Sequence, residues 1–141
     1  MANNINKQIS SEHQCLLNYC DLIENCLKEI IYNHSDNYHN LNNFVHDLSE
    51  LFNIHLPKDM LLINRTISTH DNQILASLLI NIQYPALIKD LEILNKSLTA
   101  AVNGHYKNNE YINAIAHGTI QQIRLTISLE DELCFPYTHN T

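Results

Sequence analysis

Residues that break regular structure are scarce in this chain: 141 residues contain two glycines and three prolines. Between them apolar side chains recur every three or four positions, which is the period of a helix face and not the alternation of a strand. Leu16, Leu17, Cys20, Ile23, Leu27, Ile30 and Ile31 trace one such stripe, headed by His13. It predicts a first helix from about Ser10 to Ile31, with Ser10 or Ser11 as its cap. A second helix, from about Leu41 to Ile67, turns Leu41, Phe44, Val45, Leu48, Leu51, Phe52, His55, Asp59, Leu62 and Ile63 inward. Pro57 lies inside it and is expected to bend it and free the carbonyl of Asn53.

A third helix, from about Asn72 to Val102, is expected to bury Leu75, Leu78, Ile80, Leu87, Ile88, Leu91, Leu94 and Leu98. Tyr84 falls on its stripe, ahead of Pro85, and Asn103-Gly104 marks its end. A fourth, from about Tyr106 to Cys134, turns Ile112, Ile115, Ile123, Thr126, Ile127, Glu130 and Leu133 inward, and Pro136 closes it. The connections Asn33–Asn40 and Thr69–Asn72 are short and polar. The expectation is one all-α domain over residues 1–141, an up-down-up-down four-helix bundle.

A net charge of −7 with no cluster of lysines and arginines argues against nucleic acid and against an anionic membrane surface. The N-terminal MANNINKQISSEH has no apolar core of a signal peptide. No window reads as the run of about 20 apolar residues that a bilayer requires. Cys15, Cys20, Cys26 and Cys134 lack zinc-type spacing and read as reduced thiols in a cytoplasmic protein. There is no glycine-rich phosphate loop and no Ser/His/Asp set.

Chemistry concentrates in FNIHLPKDMLL. His55 and Asp59, four residues apart, stand one above the other on a face whose other members, Leu48, Phe52 and Leu62, are apolar. An imidazole and a carboxylate turned into a core need a partner, and a metal ion is the most economical one. Counting from the turns at about 1.5 Å per residue brings His13, His55 with Asp59, Tyr84, and Thr126 with Glu130 to one level. The residues alone leave open a metal-free reading, in which the same groups form a buried hydrogen-bonded network that sets helix register. Glu24, on the face of His13, is either a second carboxylate or a helix-edge charge. His46 and His117 fall on the outer faces, and the other histidines lie in turns, at helix ends or in the tail.

The segments SEHQCLLNYCDLI, LFNIHLPKDMLLI, INIQYPALIKDLEIL and IRLTISLEDELCFP resemble the four helices of the hemerythrin-like (HHE cation-binding) family. The resemblance places Glu12-His13 on the acidic-His pair of the first helix. It places His55 and Asp59 on the H-x-x-x-E of the second, and Glu130 with Phe135-Pro136 on the end of the fourth. Tyr84 stands where the family has its third-helix histidine, and Thr126 stands at the first position of its last motif. The resemblance implies non-haem iron, one ion or two, held by His13, His55, Asp59 and Glu130. Tyr84 is implied as a phenolate ligand or as a hydrogen-bond donor to a ligand, and Thr126 as the holder of a water. Zinc or manganese would also suit this donor set. The implied function is to bind, sense or turn over dioxygen, peroxide or nitric oxide. The alternative is a metal-free bundle acting as a protein-interaction or regulatory module.

Overall fold

The computed structural model describes residues 2–32, 38–66, 70–104 and 109–134. They form α1 (Ala2–Tyr32), α2 (His39–Thr66), α3 (His70–Leu78), a π-helical turn (Leu79–Gln83), α4 (Tyr84–Val102) and α5 (Asn109–Cys134). No strand occurs among the described residues. The helices pack on one another: α1 lies against α2 and α5, and α4 lies against the same two. One continuous core runs through all of them, from Leu16 and Leu27 on α1 through Leu48 and Ile63 on α2, Leu87 and Leu98 on α4, to Ile112 and Ile127 on α5.

The first helix begins well before the expected serine cap. Residues Ala2 to Ile9 contain no breaker, and Ile9 extends the buried stripe one turn beyond His13. Ser10 and Ser11 are therefore interior helical positions. Pro57 does not end α2, which is continuous through it. Gly104 adopts φ +78° just past Val102, the left-handed conformation that favours glycine after a helix, and Asn103 donates to the carbonyl of Thr99. The start expected for the last helix near Tyr106, the Phe135-Pro136 ending and the tail lie outside the described residues.

The third stretch is not one regular helix. The backbone N–H of Tyr84 reaches the carbonyl of Leu79, five residues back, so one extra residue is accommodated in that turn. Pro85, which carries no N–H and cannot continue the ordinary ladder, follows at once. The extra residue advances the inward face by one position. Ala76 and Leu79 face the core before it, and Tyr84, Leu87, Leu91, Leu94, Leu98 and Ala101 after it.

Uniform periodicity therefore misassigned Leu78, which is exposed, and chose Ile80 over the fully buried Leu79. Ile31 and Ile88 are also exposed; each is adjacent to a buried neighbour, Ile30 or Leu87, and adjacent helical residues point about 100° apart.

The same stretch corrects the reading of apolar windows. Residues 71–102 are long and apolar enough, at a mean hydropathy of 1.2, to meet the length and composition of a membrane-crossing helix. The hydropathy arises because this stretch is apolar on two sides. Leu79, Leu87 and Leu91 pack inward, while Ile74, Leu78 and Ile82 lie outside at four-residue spacing.

If the π turn holds one surplus residue, deleting exposed Ile82 leaves the apolar faces before and after it aligned. Urea unfolding of the Ile82 deletion should show a loss of less than about 2 kcal/mol. Deleting exposed Lys89 instead rotates Leu91, Leu94 and Leu98 off the core and should cost about 5 kcal/mol or more, at about 1.5–3 kcal/mol per leucine. Equal losses for the two deletions would contradict the register shift.

Candidate metal centre

Helices α1, α2, α4 and α5 contribute to the level picked out by the sequence because a core-facing position on each carries a polar residue. His13, His55, Asp59 and Glu130 are all buried, and one donor atom from each lies within 4.8 Å of the others. The imidazole rings of His13 and His55 meet edge to face, with centroids 4.7 Å apart. His55 Nε2 approaches Asp59 Oδ2 to 2.5 Å, and His13 Nε2 lies 3.6 Å from Asp59 Oδ1 and 3.9 Å from Glu130 Oε1.

The outer ring nitrogens are held from behind. Nδ1 of His13 is 2.7 Å from Oδ1 of Asp131, and Nδ1 of His55 is 2.6 Å from Oε2 of Glu12. An ionised carboxylate only accepts, so each Nδ1 donates and each Nε2 is left to face the cluster. Both Nε2 atoms are buried with no hydrogen-bond partner. The short approach of His55 to Asp59 is close in distance but misaligned for N–H···O bonding. Two inward-facing nitrogens without hydrogen bonds, backed by carboxylates and set against two more carboxylates, are the donor arrangement of a metal-binding histidine pair. On that test the residues present fit a divalent cation.

Electrostatics point the same way. Burial lifts Glu130 well above the usual carboxylate range, and its contact with Asp59 lifts it further. Burial acts on Asp59 too, but the imidazoles of His13 and His55 beside it and the Glu130 carboxyl outweigh it and hold Asp59 well below that range. Without a cation, Asp59 and Glu130 therefore share one proton. Burial disfavours the charged form of His13, yet the carboxylates of Asp131 and Asp59 overcome this and raise it to about 9. Protons thus occupy the places a cation would take, and metal binding would release them.

Tyr84 is brought to the cluster but lies behind it: its hydroxyl donates to Glu130 Oε2 at 2.9 Å. Burial and the Glu130 carboxylate push its phenol far above the usual tyrosine range, so it stays protonated there. Thr126 is buried, and its hydroxyl donates to the Gln122 carbonyl at 2.7 Å while receiving the Gln83 amide at 2.9 Å. The amide of Gln83 meets its oxygen.

Glu24 is outside the group and pairs with Arg124 at 2.8 Å. His46 is exposed and pairs with Glu50 at 3.2 Å, and His117 is half-buried on α5. Cys15, Cys20 and Cys26 are free thiols; burial raises the Cys20 thiol to about 12, which suits an inert core residue.

Sequence reasoning missed Asp131, Gln83 and Lys58, whose ammonium lies 2.5 Å from Glu12 Oε1. It named Glu12 without the helix-crossing bond it makes. These contacts join residues far apart in the chain, so no local spacing announces them. The one available signal was an acidic residue beside two of the expected ligands on the same helix: Glu12 beside His13, and Asp131 beside Glu130. No family model, curated protein or solved structure matches this chain.

The raised value of His13 sets a pH dependence for metal-free protein. Its stabilisation is present in full below the unfolded value of about 6.5 and is lost as pH rises through about 9. Urea unfolding in the presence of chelator should lose roughly 3 kcal/mol between pH 6.5 and 10. His13→Gln should flatten that slope. An equal slope in the variant would show that another group is responsible.

Proposed function

We propose that this chain is a hemerythrin-like, up-down-up-down four-helix bundle that binds non-haem iron and uses it to bind, sense or turn over a small oxidant. The observation that carries the reading is the pair of orphaned, buried Nε2 atoms of His13 and His55 facing Asp59 and Glu130. Two imidazoles and two carboxylates suit iron, with manganese and zinc as competitors. Bound there, iron would supply open coordination positions and redox chemistry toward dioxygen, peroxide or nitric oxide.

The chain's own residues do the rest. Asp131 and Glu12 fix the two rings in the tautomer that turns Nε2 inward. Lys58 steadies Glu12 from the half-exposed side. Tyr84 orients Glu130, and the apolar neighbours Leu16, Phe52, Ile63 and Ile127 keep bulk water away. Burial of all four donors favours molecules of a few atoms over larger substrates.

Tag-free protein reconstituted anaerobically with ferrous iron should hold it through gel filtration. At about 100 times the dissociation constant, binding adds about 2.7 kcal/mol, which raises the melting temperature on the order of 10 °C. His55→Ala should abolish the rise. A chain that retains no iron, manganese or zinc, and melts alike with metal or chelator, would contradict the metal reading. It would favour the metal-free interaction module.

The backing carboxylates give a graded test. Asp131→Asn and Glu12→Gln should each weaken iron roughly 10–100-fold without removing a ligand. Unchanged affinity in both would show that the rings need no such support.

A further inference from the structure

Two carboxylates beside two imidazoles can serve one ion or bridge two, and the surroundings of Glu130 distinguish these cases. A second ion next to Glu130 would need further lone pairs on the side away from His13 and His55. That side is formed by Tyr84 and, farther along α5, by Thr126 with Gln83. None of the three is a carboxylate or an imidazole, and their hydrogens are committed to neighbouring acceptors. The Tyr84 hydroxyl donates to Glu130 Oε2 at 2.9 Å. The Thr126 hydroxyl gives its hydrogen to the Gln122 carbonyl, and its oxygen receives the Gln83 amide. The same amide donates to Gln122 Oε1 at 2.8 Å.

The π turn builds this side. It ends on Gln83, and its extra residue is what brings Tyr84 onto the inward face, where the hydroxyl reaches Glu130. A regular helix from Leu79 would turn the position of Gln83 inward instead, since inward positions recur at three or four residues.

Charge leads to the same conclusion. As metal ligands Asp59 and Glu130 bring two carboxylates to the cluster, and one divalent ion balances them. A second divalent ion would find no further carboxylate inside the cluster to ligate it, which is costly at a buried site. The remaining carboxylates, Glu12 and Asp131, lie behind the imidazoles and are bonded to their Nδ1 atoms.

Resting on the reading that the cluster binds metal, we propose that it holds one ion per chain. Gln83, Tyr84 and Thr126 form a hydrogen-bonded closure over the place beside Glu130 where a second ion would bind.

The test is metal stoichiometry together with electron paramagnetic resonance. Full-length protein is stripped with chelator, reconstituted anaerobically with excess ferrous iron, desalted and analysed for iron per chain, and a ferric sample is then recorded. One iron per chain with the signal of an isolated high-spin ferric ion is expected. Two irons per chain with a silent, spin-coupled pair would overturn the proposal while leaving the metal reading intact. No retained metal would remove both, so the two failures are distinguishable.

A second variant tests the closure itself. Tyr84→His with Thr126→His replaces two hydrogen donors by two imidazoles. Provided its circular dichroism is that of a folded helical protein, its iron content should rise toward two per chain. A folded double variant that stays at one would show that the closure is not what limits the number of ions.

Discussion

Two carboxylic acids face each other in an apolar interior, and most of the structure around them follows from that placement. Asp59 and Glu130 are buried on helices that cross a common core, in contact close enough that only one of them is readily ionised. Removing such groups from water costs several kcal/mol each unless positive charge or hydrogen bonds replace the solvent. The replacements come from three other places in the chain: His13 on α1, His55 one turn before Asp59 on α2, and Tyr84 at the start of α4. Outside the imidazoles, Glu12 and Asp131 lock ring orientation and lie toward the surface, where Lys58 offsets part of their charge. The assembly is ordered from the centre outward, and a cation would satisfy both inward-facing nitrogens at once.

The rest of the fold positions these groups. Leucine and isoleucine stripes set the rotation of each helix, and helix rotation decides whether a polar residue at a core position points into the cluster or past it. The π turn shows how sensitive this is. One surplus residue between Leu79 and Tyr84 changes which side chain reaches Glu130, and Pro85 immediately afterward prevents the ordinary hydrogen-bond ladder from resuming a turn earlier. The irregularity lies beside the polar cluster, which agrees with the tendency of such turns to mark functional sites.

How far the sequence spoke follows from which forces act locally. Helical periodicity and the lack of breakers made the all-helical class legible, and Asn103-Gly104 marked a real helix end. The height of polar residues along their helices brought His13, His55, Asp59 and Glu130 together before any coordinates did. Three features were not legible. The early start of α1 needed only the absence of a stop signal, which propensity rules underweight. The π turn shifted the phase of Leu78, Leu79 and Ile80, because periodicity assumes a constant step. The bonds from Glu12 to His55 and from Asp131 to His13 cross between helices, so they depend on packing that no local pattern encodes.

The most direct test is an anomalous-scattering map at the iron edge, from crystals of protein purified without a tag and reconstituted with iron. A single peak is predicted, about 2.0–2.2 Å from Nε2 of His13, Nε2 of His55, and one carboxylate oxygen each of Asp59 and Glu130. A map with no peak, and the same nitrogens turned to well-aligned hydrogen bonds with the carboxylates, would show that a proton network and not a cation holds this interior together.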